Sequence, residues 1–152
     1  MDKNLFNIKL ADASDAEYIA EAEESVFSDP WSCSGIAHFC DCSSAFVICS
    51  NDENGDLSGY AVGSFAAGEG ELLRIAVLPD HRGKGLGKAL QSEFLSEMRT
   101  RNVSTVFLEV RVSNEHAISL YESTGFESYT IRRKYYMNPA EDAGMMRLDI
   151  DI

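Results

Sequence analysis

The stretch HRGKGLGKAL, residues 81–90, sets Gly83, Gly85 and Gly87 among His81, Arg82, Lys84 and Lys88 and runs on into an apolar helical pattern. Glycines at the start of a helix expose backbone N–H groups backed by the positive end of the helix dipole, which makes an anion site. The missing Cβ atoms let a phosphate approach the backbone. A tight turn alone would need one glycine rather than three. Spacing excludes two phosphate-binding patterns. A Walker A loop has four residues between its glycines and a Ser or Thr after its lysine; here three residues separate Gly83 from Gly87, and Ala89 follows Lys88. The dinucleotide fingerprint fails too, with no acid for an adenosine ribose at a suitable place after the next strand.

Glu109 is the odd residue in TVFLEVRV. Strand alternation puts Val106, Leu108 and Val110 on one face and Phe107, Glu109 and Arg111 on the other, so a carboxylate is planted in a strand apolar enough to be central. Burial would suit it to accept a proton near neutrality unless Arg111 opposes this, and Arg111 could equally make it one half of a structural ion pair. Cys33, Cys40, Cys42 and Cys49 cluster in sequence around His38. No Cys-x-x-Cys pair occurs, and Cys40-x-Cys42 on a helix aims its thiols apart, so no metal is expected and reduced, packed thiols are. None of the cysteines lies in the motifs of the second half, where a covalent nucleophile would be expected.

These residues need elements to hold them. LFNIKLA reads as an opening strand, and Ser14 to Glu17 as a capping box starting a helix to about Phe27, with Tyr18, Ala22 and Val26 on one face. Asp29-Pro30 stops it, and Ser32 caps a short second helix ending near Cys42. AFVICS, a turn carrying Asn-Gly, LSGYAVGSFAA and ELLRIAVL follow as hairpin-linked strands, the last ended by Pro79. Leu86, Leu90, Phe94, Leu95 and Met98 mark an amphipathic helix from Gly85 to about Arg101. After the Glu109 strand come a helix from Asn114 to about Ser123, stopped by Gly125, and the strands FESYTIRRKYY and GMMRLDI joined by a polar loop. An antiparallel first half followed by alternating strands and helices predicts an α/β sandwich, a mixed sheet flanked by helices.

The 152 residues suit one domain, residues 1–152, with no linker or repeat. No apolar run could span a bilayer and the first ten residues lack a signal-peptide pattern, so a cytoplasmic protein away from membranes is expected. The net charge of −12 argues against direct nucleic-acid binding and is compatible with a basic partner.

Arg82-x-x-Gly85-x-Gly87, preceded by LLRIAVLPD, resembles the acetyl-CoA signature of the GNAT superfamily of N-acetyltransferases. LEVRVSNEHAISLYESTGF, IRRKYY with EDAGMMRL, and DPWS extend the likeness almost end to end, to the ribosomal-protein alanine N-acetyltransferases (RimI type). The resemblance implies a GNAT fold, a mostly antiparallel sheet of about seven strands with about four helices. It implies acetyl-CoA as co-substrate, with its pantetheine arm along Ile75, Ala76 and Val77 and its pyrophosphate on Arg82, Gly83, Lys84, Gly85, Leu86, Gly87 and Lys88. Asn114 corresponds to a further cofactor contact, Glu109 to the general base and Tyr121 to the general acid. Trp31, Tyr135 and Tyr136 correspond to the acceptor groove, where alternation would admit only one of the two tyrosines, with Glu141 and Asp142 near enough to meet a basic peptide. The implied acceptor is the N-terminal alanine of the eighteenth small-subunit ribosomal protein, a basic chain, acted on by a monomer. Many relatives have Gln at position 82, a difference a loop binding through its backbone tolerates.

Overall fold

In the computed structural model, residues 6–150 are described; Leu5, at the expected start of the first strand, lies outside them. The strands are β1 (Ile8–Leu10), β2 (Ala45–Asn51), β3 (Leu57–Ala66), β4 (Glu69–Val77), β5 (Thr105–Arg111), β6 (Glu127–Tyr136) and β7 (Glu141–Asp149). They form one sheet in the order β1-β2-β3-β4-β5-β7-β6. Neighbours pair antiparallel except β4 and β5, which run parallel. The helices are α1 (Ala16–Val26), α2 (Cys33–Asp41), α3 (Leu86–Thr100) and α4 (Glu115–Ser123). This is the mixed, mostly antiparallel sheet with four helices that the sequence implies.

Alternation along the strands sorts the core into two layers. On β2, Phe46 and Ile48 join Leu86, Leu90, Phe94 and Met98 of α3, whereas Val47 and Cys49 join Ile19 of α1 and Ile36 of α2. α3 comes so close to the sheet that a Cβ on Gly63 would sit 2.5 Å from the Phe94 ring. The β2–β3 turn is pinned as a turn chemist would choose: the Asp52 carboxylate accepts from the N–H groups of Asn54 and Asp56 at 2.9 and 3.0 Å, and Gly55 takes φ +83°.

Three local expectations move. The capping box is built by Asp12 and Asp15 around a short 3-10 turn, Ala13–Asp15, because the extended backbone of Asp12 brings its carboxylate onto the Ser14 N–H at 2.9 Å. That rotates α1, so Ile19, Ala22 and Glu23 are buried while Tyr18 is 62% exposed. β7 begins at Glu141 rather than Gly144, since the 'polar loop' residues pair with β6 before the turn closes.

Gln91 on α3 is wholly buried, and neither of its amide atoms has a partner among the described residues. A buried polar group left unsatisfied costs roughly 1–3 kcal/mol. Gln91→Met, close in shape and without the amide, is therefore expected to raise the urea midpoint with an unchanged m-value, by about 1 kcal/mol of stability.

Candidate active site

β4 and β5 pair for only four residues, from Glu69 opposite Thr105 to Leu72 opposite Leu108. Beyond that β4 stays bonded to β3, with Ile75 opposite Ala61, Ala76 opposite Tyr60 and Val77 opposite Gly59, while β5 stays bonded to β7. The two strands therefore part, and Ile75, Ala76 and Val77 turn a backbone edge into the opening that no described strand pairs with. An extended amide-bearing chain could add to that edge as another strand would.

The glycine loop closes one end of the opening. Gly83 and Gly85 adopt φ +79° and +87°, a left-handed backbone that side chains with a Cβ resist. Gly85 is the N-cap of α3 and provides no side-chain cap, so the first-turn N–H groups of Leu86, Gly87 and Lys88 face outward without a side-chain acceptor. Gly83, Lys84 and Lys88 are exposed. A Cβ on Gly87 would point between Val77 of β4 and Leu120 of α4, at 3.7 and 3.4 Å. These features fit a pyrophosphate on the loop and a narrow chain running beside Gly87. Arg82 behaves differently from its neighbours: its Nε donates to the Val77 carbonyl at 2.9 Å, so it ties the loop to β4. Asn114 caps α4, its Oδ1 accepting from the Ala117 N–H at 3.1 Å.

Glu109 lies on β5 just past the point of parting, opposite Met145 of β7. Arg111, two residues on, makes no ion pair with it. Its guanidinium donates to the carbonyls of Met137 and Pro139 at 2.8 Å, approaches Glu141 at 3.4 Å and lies over the Tyr136 ring at 4.6 Å. The Tyr135 hydroxyl donates to Glu109 at 3.3 Å. Tyr135 and Tyr136 pack edge to face with ring centroids 5.1 Å apart. The expected alternation fails here: β6 shifts register between Arg132 and Tyr136, with Lys134 at φ +53°. Both phenols consequently border Glu109. Burial and then the Glu109 charge raise Tyr135, and the same two causes push Tyr136 up to about 12. Glu141 and Asp142 are occupied inside the molecule, accepting from the N–H groups of Ser113 at 2.7 Å and Lys134 at 2.9 Å, so they shape the loop between β6 and β7.

Tyr121, on α4, is 7% exposed and packs edge to face on Phe126. Burial foremost, and then Tyr136, drive its phenol well above the ordinary tyrosine range, so it carries its proton at every pH near neutrality. Through Tyr136 the surroundings of Tyr121 and Glu109 meet.

Two groups escaped the reading of the sequence. Glu71 of β4 stands opposite Phe107, on the Glu109 side of the sheet. Its carboxyl is raised by burial first and by the Glu109 charge second. A groove of about 370 Å³ lined by Ser44, Ser64, Glu69, Glu71 and Phe107 begins there. The other is Arg74, which holds the turn between α1 and α2 that carries Trp31. An arginine inside LLRIAVL is as conspicuous as a glutamate inside TVFLEVRV, and the same rule would have found it.

Residues 16–126 match the model of the acetyltransferase (GNAT) family. The [ribosomal protein bS18]-alanine N-acetyltransferase of Escherichia coli K12 is 44% identical over 102 residues, 66% of this chain and 69% of that protein. The enzyme of the same name from Haemophilus influenzae is 32% identical over 133 residues, 88% and 89% of the two chains. The crystal structure of the ribosomal-protein-S18-alanine N-acetyltransferase from Escherichia coli superposes with a TM-score of 0.86 at 35% identity, over 96% of this chain and 94% of that one.

The geometry at Gly87 makes a direct test. Its backbone is helical and the nearest atoms leave ordinary room for a single methyl group, so Gly87→Ala is expected to fold with an unchanged melting temperature. That methyl would enter the space between β4 and α4, and calorimetry should show coenzyme A binding weakened roughly tenfold by Gly87→Ala.

Proposed function

The chain belongs to the acetyltransferase (GNAT) family and is an acetyl-CoA-dependent N-acetyltransferase; on that footing we propose that its acceptor is a protein N-terminus, the alanine amine of ribosomal protein bS18. The observation that carries this reading is the opening between β4 and β5, with Glu109 just past the parting and the rim of Trp31, Tyr135 and Tyr136 beside it. The names and extent of the relatives support the acceptor. So does charge, since 25 acidic against 13 basic residues would draw in a basic chain.

Bound acetyl-CoA would supply an acetyl thioester. The first turn of α3 and Lys84 and Lys88 would hold its pyrophosphate, and the β4 edge at Ile75, Ala76 and Val77, where Arg82 already binds the Val77 carbonyl, would hold its amide arm. Asn114, beside the opening on the cap of α4, contributes its free amide N–H groups. Glu109 takes the proton that the acceptor ammonium must lose before nitrogen can attack. Tyr121 gives its proton to the departing sulfur and regains one from the nitrogen, which sheds its second proton as the amide forms; burial keeps the phenol protonated for that role at working pH. Trp31, Tyr135 and Tyr136 flank the incoming chain end, offering broad apolar area and hydroxyls for a peptide backbone.

Three measurements check this. Acetylation of a basic peptide beginning with alanine is expected, followed by mass spectrometry, with none on the same peptide carrying a blocked N-terminus and an internal lysine. Lysine acetylation in the blocked peptide would move the assignment to a side-chain acetyltransferase. Glu109→Gln and Tyr121→Phe should each lower kcat about a hundredfold or more, with acetyl-CoA affinity kept. Because the Tyr121 pKa is raised, the wild-type kcat should show no alkaline loss below about pH 10, the ordinary value of a free phenol.

A further inference from the structure

Arg74 lies on β4 immediately before Ile75, and its side chain crosses to α1. Its Nε donates to both oxygens of Glu23 at 3.2 Å and its Nη2 to Glu23 Oε1 at 2.8 Å. Glu23 is wholly buried, and it also accepts from the Tyr60 hydroxyl and, at 3.0 Å, from the Trp31 N–H. The same Nη2 donates to the Asp29 carbonyl at 2.8 Å and lies 3.5 Å from the Asp29 carboxylate. The guanidinium rests over the Phe27 ring at 3.8 Å and over the Trp31 ring at 4.6 Å. Trp31 packs in turn on Phe39, with centroids 5.3 Å apart. After burial, Glu109 and Tyr135, the Asp29 charge also contributes to raising the Tyr136 phenol of β6.

A structural ion pair would need only the contact with Glu23. Here one planar side chain also grips the turn between α1 and α2 at Phe27, Asp29 and Trp31, three of its six residues. We propose that Arg74 is a positioning residue for the acceptor: it clamps the rim at residues 27–31 against β4 in the geometry that receives the incoming chain, and so sets acceptor affinity without touching either substrate. This rests on the reading of Trp31 as part of the acceptor groove. The physical basis is preorganisation. A rim fixed before binding loses little conformational freedom when the acceptor arrives, whereas a loose one must be ordered at the expense of affinity. Lysine can neutralise Glu23 but cannot supply the fork, the bond to the Asp29 carbonyl and the stacking between two rings.

Arg74→Ala would strand a buried carboxylate and endanger folding, so the test uses Arg74→Lys in the full chain, with acetyl-CoA and a basic peptide beginning with alanine. The acceptor KM is expected to rise roughly tenfold, while kcat and the KM for acetyl-CoA stay within about twofold. Trp31, the one tryptophan of the chain, should become more accessible to acrylamide quenching in the variant. An unchanged acceptor KM overturns the proposal, as does an equal rise in both KM values, which would mark a general structural loss. The wild-type control keeps the two readings apart. If wild type leaves the peptide unacetylated, the acceptor assignment fails, and the quenching comparison, made without any acceptor, then decides the clamp alone: unchanged quenching overturns it.

Discussion

The parting of β4 from β5 is the constraint on which the molecule is organised. Each strand is held on its outer side by an antiparallel neighbour, so neither can follow the other once their four-residue parallel ladder ends at Leu72 and Leu108. Backbone groups inside a sheet are normally satisfied by the next strand. Here the edge of β4 at Ile75, Ala76 and Val77 is left for a ligand that can bond like a strand, and the fold places α3, α4 and the turn after α1 around it. The site is thus a gap in the hydrogen-bond ladder, and the residues of the site border it because of where they fall on the strands and helices that frame it.

Electrostatics divide the opening in two. At the α3 end, lysines and bare N–H groups make a small cationic patch in a chain whose overall charge is strongly negative, so an anion is drawn to that spot and to few others. On the opposite face, Glu71 and Glu109 lie on the same side of the sheet, and the Glu71 carboxyl is raised by burial first and by the Glu109 charge second. The phenols of Tyr121, Tyr135 and Tyr136 lie between these halves, each raised chiefly by burial. They remain neutral hydrogen-bond donors, which spares the cluster further negative charge.

A second buried carboxylate has a structural task. Glu23 gathers bonds from β3, β4 and the turn after α1, through Tyr60, Arg74 and Trp31. Removing one partner of such a pair costs about 3–5 kcal/mol, since it leaves a charge in apolar surroundings. The turn that carries Trp31 is consequently tied into the molecule by buried polar bonds, though it belongs to no strand.

The sequence alone determined what short-range rules can reach. The glycine loop, the amphipathic α3, the alternation of β5 that singles out Glu109 and the helix starting at Asn114 all rest on spacing within one element, and the structure keeps each of them. The mostly antiparallel sheet of about seven strands followed from the motif likeness, whereas the order of its strands came with the tertiary structure, since no local pattern says which strands lie side by side. Only the tertiary structure decided the rest. It turned Arg111 away from Glu109 toward the carbonyls of the β6–β7 loop, swung Tyr135 and Tyr136 to the same side through a register shift, and spent Glu141 on the Ser113 N–H and Asp142 on the Lys134 N–H. It also joined Glu23, Tyr60 and Arg74, residues separated by up to 51 positions. Hydrogen-bond partners distant in sequence depend on how strands stack and where bulges fall, and those are settled by packing of the whole chain, which no window of a few residues contains.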